Sequence, residues 1–131
     1  MKTFASDNNA PVHPLIMKAM ADVNIGDTIA YGDDPYTAKA VEKFKKILGE
    51  NINVFFVYNG TAANVLSMSS FLNSYNAIIC SDVSHINNDE CGANENFSGY
   101  KLISILSENG KISIESIKKY LHSFGFEHHS M

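Results

Sequence analysis

Apolar residues recur at helical spacing in some stretches of this chain and run almost unbroken in others, and the two patterns predict different elements. Residues 1–12 are polar and extended. His13-Pro14 opens a short helix that carries Leu15, Met17, Ala19 and Met20, and proline suits its first position. Asn24 to Pro35 is turn chemistry, with Gly26, Gly32, Asp33, Asp34 and Pro35 close together. Ala38, Val41, Phe44 and Leu48 then mark one face of a helix from about Tyr36 to Leu48, which Gly49 stops. Val54 to Tyr58 is a β-branched and aromatic run that predicts a buried strand over 53–58. A helix over 61–73 follows, apolar on more than one side, and then a strand over 77–80. Together these three predict a βαβ unit with parallel strands. The loop Ser81 to His85 leads to a short polar helix near Asn87–Asn94 and a third strand, Lys101–Leu106. Ser113 is the expected N-cap of a last helix, about Ile114–His122.

Strands alternating with helices predict an α/β fold with a parallel sheet, and such sheets bind ligands at the carboxyl ends of their strands. Two loops leave those ends: Asn59-Gly60-Thr61 and Ser81 to His85. At the first, a strand runs through glycine into a helix. That arrangement aims free backbone N–H groups and the positive helix end at one spot, which suits a phosphate. Any such turn can also carry glycine and a threonine N-cap for purely structural reasons.

With 131 residues, 45% of them hydrophobic, and a net charge of -4, the chain suits one domain with a modest core. The acidic balance and the lack of basic runs argue against nucleic acid or an anionic membrane as partner. No apolar stretch is long enough for a membrane span, and Met1-Lys2-Thr3-Phe4 leads straight into polar residues rather than a secretory segment, so cytoplasm is the expected location. Cys80 ends an apolar run and Cys91 falls in the predicted polar helix, so both are expected as reduced structural thiols. All ten basic residues are lysine. The bidentate guanidinium fork that commonly grips a substrate carboxylate is therefore missing from this chain.

Four segments add a resemblance. Phe4-Ala5-Ser6-Asp7-Asn8, Ala30-Tyr31-Gly32-Asp33-Asp34-Pro35, Asn59-Gly60-Thr61-Ala62-Ala63-Asn64, and Ser84-His85-Ile86 with Asp89-Glu90-Cys91-Gly92-Ala93 occur in this order and spacing. In this the chain resembles the L-threonine aldolases, pyridoxal-phosphate enzymes of the aspartate-aminotransferase-like fold, fold type I. The resemblance runs from Phe4 to about Ser130. It implies a lyase that cleaves L-threonine or L-allo-threonine to glycine and acetaldehyde, as a homo-oligomer with sites at the dimer interface. Gly60 and Thr61 match the cup for the cofactor phosphate, and Asn64 lies next to it. His85 matches the histidine that stacks on the pyridine ring near the substrate hydroxyl, where it can share in proton transfer. Glu90 matches a carboxylate beside the cofactor, a candidate acid or base, and His128 a second active-site histidine. Ser6 matches a serine that helps hold the substrate carboxylate, and Tyr31 a tyrosine of the substrate pocket.

Structural alternatives stay open for several of these. Ser6-Asp7 can be a capping or Asx-turn device, Tyr31 can pack under its turn, and His85 can be a surface loop residue. His128 and His129 are adjacent and, in a strand, would point to opposite faces, so no metal site is expected.

Members of the family continue beyond the matched region into segments that carry the Schiff-base lysine, an aspartate for the pyridine nitrogen and arginines for carboxylate. Residues 1–131 therefore correspond to an N-terminal, incomplete part of the large domain, with parallel strands and helices on both faces. The chain alone is expected to be inactive. The strand at 53–58 would lack central neighbours, an exposed edge that favours association or instability. Two other readings remain: a non-catalytic fragment that associates with a full-length or complementary chain, and a remnant of another fold type I lyase.

Overall fold

A computed structural model describes residues 3–121, and the chain divides into two compact units, Met1–Val54 and Phe55–Met131. The expected His128 position lies outside the described residues.

In the first unit, Ser6 caps a single 3-10 turn, Asp7–Asn9, its Oγ accepting from the Asn8 amide at 3.2 Å. Helix α1 spans Pro14–Val23, with proline at its start as the sequence predicts. Its N-cap is His13, whose Nδ1 accepts from the Leu15 amide at 3.2 Å. Helix α2 spans Pro35–Leu48. Asp34 Oδ1 accepts from the amides of Tyr36 and Thr37 at 2.9 and 2.8 Å, and Oδ2 accepts from Thr37 Oγ1 at 2.6 Å. Lys45 and Lys46 in the last turn complement the helix dipole, and Gly49 ends the helix at φ 103°.

The second unit begins with a departure from the predicted pattern. Residues 52–57 carry no regular secondary structure, so the expected strand over 53–58 and its βαβ unit do not form. A strand exists only where a neighbour takes up its backbone groups. The described sheet has just two strands, β1 (Ala77–Ser81) and β2 (Lys101–Ile105), paired with each other and in parallel. Their register pairs Ala77 with Lys101 and Ser81 with Ile105. Asp82 fastens their carboxyl ends together: its amide donates to Ile105 O, and its Oδ1 accepts from the Ser107 amide at 3.0 Å and the Ser107 hydroxyl at 2.6 Å.

Helix α3 spans Gly60–Ser69 and is shorter than predicted. Its cap is Asn59 rather than threonine, with Oδ1 accepting from the Ala62 amide at 2.8 Å. It packs on a helix rather than lying buried on a sheet. The single polar helix expected near Asn87–Asn94 is two short ones, α4 (His85–Asn88) and α5 (Ala93–Ser98). Between them Cys91 and Gly92 adopt φ 51° and 67°, two successive left-handed residues that a helix does not tolerate. Cys91 is accordingly exposed in a turn instead of helical, whereas Cys80 is buried in β1. Helix α6, Ile114–Leu121, starts as predicted at Ser113, whose Oγ accepts from the Ser116 amide at 3.1 Å. Among the described residues the buried core consists of Cys80, Tyr100 and Ile105 with the polar residues Ser81, Glu90 and Asn94. Polar side chains make up half of it.

Candidate functional site

Helix α3 opens at the predicted glycine turn. Asn59 takes up the Ala62 amide by its side chain and the Ala63 amide by its carbonyl. The Gly60 and Thr61 amides and the Thr61 hydroxyl have no hydrogen-bond partner among the described residues. A Cβ added at Gly60 would meet nothing within 4 Å, so the turn borders open space. Two N–H donors and an O–H donor at a positive helix end form a set suited to an anion.

Asn64 lies about 6 Å further along the axis, one turn into α3. Its Nδ2 donates to Glu90 Oε1 at 2.6 Å. The same oxygen is bonded to His85 Nδ1 at 2.8 Å, while Glu90 Oε2 accepts from Asn94 Nδ2 at 2.7 Å. Asn94 Oδ1 in turn accepts from the Tyr100 hydroxyl at 2.7 Å. The Glu90 side chain is wholly shielded, whereas the His85 side chain is 66% exposed. Burial pushes the Glu90 carboxyl up. The hydrogen bonds from His85, Asn64 and Asn94, with the attraction of His85, outweigh it and hold the group below its ordinary value of 4.5. A carboxylate that accepts three such bonds is ionised.

The structure thus brings Asn64, His85 and Glu90 together. His85 is the first residue of α4, in the loop that leaves the carboxyl end of β1. Beside it in sequence, the Ser84 Oγ is buried and has no partner among the described residues. The two substrate candidates belong to the other unit. Ser6 serves as the cap of the 3-10 turn. Tyr31 does not pack under its turn: it is fully exposed at φ 65°, a left-handed conformation costly for a tyrosine. Among the described residues no group of three His, Cys, Asp or Glu side chains is placed to hold a metal, and no helix is long and apolar enough to cross a membrane.

Sequence reasoning passed over Asn94 and Tyr100, the two largest fully buried side chains. The available signal was Asn94 four residues after Glu90, one helical turn away within a polar stretch.

An α/β chain with parallel strands, an anion-type helix start and an imidazole on the loop after β1 is a ligand-binding fold of the kind used by cofactor-dependent lyases. The family model for the beta-eliminating lyases matches residues 3–131, and the chain belongs to that family. It is 47% identical over 117 residues to the low specificity L-threonine aldolase of a Pseudomonas species, covering 88% of this chain and 34% of that protein. The low specificity L-threonine aldolase of Pseudomonas aeruginosa is 45% identical over 116 residues, with the same coverage. Among solved structures, the threonine aldolase of Leishmania major superposes with a TM-score of 0.83 at 30% identity, over 94% of this chain and 36% of that one. The expected fold class therefore stands: α/β, fold type I. The chain spans about a third of the length of the relatives it matches.

Proposed function

We propose that residues 1–131 supply the phosphate cup and the ring-facing imidazole of a pyridoxal-phosphate-dependent lyase of the threonine aldolase type, as the N-terminal part of its large domain. The observation that carries this is the shared Glu90 Oε1, which ties His85 to Asn64, one turn beyond the free donors of Gly60 and Thr61. The residues fit the cofactor. Free N–H and O–H groups would meet a phosphate dianion, the exposed imidazole would offer a flat face to a pyridine, and the buried Ser84 hydroxyl, without a partner among the described residues, is left to find an acceptor.

When bound, pyridoxal phosphate supplies an electron sink that allows the Cα–Cβ bond of a β-hydroxy amino acid to break. Gly60 and Thr61 would hold its phosphate. His85 would lie against the ring and would take up the proton of the substrate hydroxyl. Ser6 and Tyr31 act on the substrate carboxylate and pocket in an assembly of subunits. Turnover needs a lysine that carries the cofactor. Six of the ten lysines of this chain, Lys39, Lys43, Lys45 and Lys46 on α2 and Lys118 and Lys119 on α6, follow the pattern of solvated helix faces and do not serve. We place the protein in the cytoplasm and its activity in a homo-oligomer completed by further chain.

Titration with pyridoxine 5'-phosphate, which lacks the reactive aldehyde, tests the cup. Amide shifts at Gly60 and Thr61 together with His85 ring shifts support it, and Thr61→Val should weaken binding several-fold. Inorganic phosphate should move Gly60 and Thr61 but leave the His85 ring. Shifts at neither place sink the proposal.

A second reading is association with a complementary chain without catalysis by this one. The exposed apolar residues Phe55, Tyr58, Phe71 and Phe97 of the second unit favour it.

A further inference from the structure

The geometry points to Glu90, Asn94 and Tyr100 as positioning residues that fix His85 in one tautomer, with hydrogen on Nδ1 and a free lone pair on Nε2. Glu90 then acts through His85 and is not itself the acid or base. This inference rests on the proposed reading of His85 as the ring-facing imidazole only for its functional meaning. The tautomer itself follows from donors and acceptors.

An ionised carboxylate has no hydrogen to give. Glu90 Oε1 accepts from Asn64 Nδ2 at 2.6 Å, and Oε2 accepts from Asn94 Nδ2 at 2.7 Å. The remaining bond, 2.8 Å between Oε1 and His85 Nδ1, is satisfied only if Nδ1 carries the hydrogen. In the neutral ring this leaves Nε2 as the acceptor.

The orientation of Asn94 guards that outcome. Its Oδ1 accepts from the Tyr100 hydroxyl at 2.7 Å, which leaves Nδ2 for Glu90. A flipped amide would set Oδ1 against a carboxylate oxygen, two acceptors facing each other in a dry place. Asn94 is 0% exposed and Tyr100 1%, so water cannot substitute for either bond. Every bond in the chain therefore runs toward Glu90: hydroxyl to amide, amide to carboxylate, and imidazole to carboxylate. Three donors also hold the carboxylate below its ordinary value, which keeps it in the acceptor-only form. Nε2 is thereby offered to a ligand that presents a donor, such as a hydroxyl.

His13 provides an internal reference of the opposite kind. Its Nδ1 accepts from the Leu15 amide, so in the neutral ring its hydrogen must be on Nε2.

The test is long-range 1H–15N correlation on the full chain with labelled histidine, above the pH at which the rings become charged. His85 should show a pyrrole-type Nδ1 and a pyridine-type Nε2, and His13 the reverse. A His85 ring with hydrogen on Nε2 overturns the inference. Glu90→Gln should abolish the preference. Where that buried change unfolds the unit, Tyr100→Phe retains the ring and serves instead. It should lower the Nδ1–H to Nε2–H ratio about fivefold, the worth of one neutral hydrogen bond. An unchanged ratio in Tyr100→Phe overturns the relay. Addition of pyridoxine 5'-phosphate separates the two ideas: the Nδ1–H form with no binding sinks the cofactor reading and leaves the tautomer standing.

Discussion

At the scale of single residues, Glu90 contributes to how the second unit responds to acid. Its folded-state value lies below the ordinary 4.5, so the unfolded chain binds the proton more readily than the folded one. The stabilisation is fully present above 4.5 and is lost as pH falls through the lowered folded value. Asp34 and Asp82 are lowered as well, held down chiefly by the hydroxyls of Thr37 and Ser107, so acid unfolding of the native chain is a composite. Glu90→Gln isolates the one contribution. Its destabilisation, followed by hydrogen exchange at the Asn94 and Tyr100 amides, should be largest near neutrality and shrink below pH 4.5. A difference that does not change with pH would show that no ionised carboxylate is involved. Tyr31 gives a prediction of the opposite sign. Its side chain is fully exposed and loses no packing when removed, while its backbone is held at φ 65°. Tyr31→Gly should stabilise the chain by roughly 0.5–1 kcal/mol in thermal unfolding, the relief of left-handed strain less the extra freedom of glycine when unfolded.

At the scale of elements, capping decides where helices begin, and Asn59 is the informative case. Asn59→Ala should cost about 1 kcal/mol through the loss of the bond to the Ala62 amide. Asn59→Asp should keep the cap but add a negative charge beside the Gly60 and Thr61 donors. Helix stability measured by circular dichroism would then hold while affinity for pyridoxine 5'-phosphate falls. Should both fall together, the cap and the anion site are not separable. The same element shows what a sequence reveals. Helix α2 was legible because its periodicity and the Gly49 stop agree, although the Asp34 cap and the Pro35 start had been assigned to the preceding turn. The glycine turn was legible too, although its cap is Asn59, two residues before the threonine that the sequence suggested. The break between α4 and α5 was not, since nothing in a cysteine announces φ 51°. The strand over 53–58 failed for another reason. Composition specifies a willingness to pair, but pairing also needs a neighbouring strand, and the described sheet offers only β1 and β2. His85 and Glu90 came from motif resemblance. Asn94 was signalled only by its spacing from Glu90, and Tyr100 shows only once folding has buried it.

At the scale of the whole molecule, the proportion of apolar surface left outside is the dominant fact. Among the described residues only Cys80, Tyr100 and Ile105 of the hydrophobic residues are buried, while Leu15, Ile47, Phe55, Phe71 and Phe97 are among many that are exposed. Ordinary monomers keep such patches small, because each 100 Å² of apolar area withdrawn from water is worth about 2.5 kcal/mol. Exposure on this scale predicts strong fluorescence enhancement of anilinonaphthalene sulfonate and concentration-dependent sedimentation. The relatives supply one partner with which to test that surface. The chain covers 34% of the Pseudomonas aeruginosa relative at 45% identity, and the remaining two thirds or so of that protein can be offered to it as a complementary chain. Co-expression of the two should lower the dye signal and bring amide protection to residues 52–57 as they gain strand neighbours. Under pyridoxal phosphate, release of glycine from threonine should appear only in the mixture. Protection without turnover would leave the association standing and remove the composite site. An unchanged dye signal would mean that the apolar surface has no such partner, and the 53–58 run would then be a segment whose strand propensity is never used.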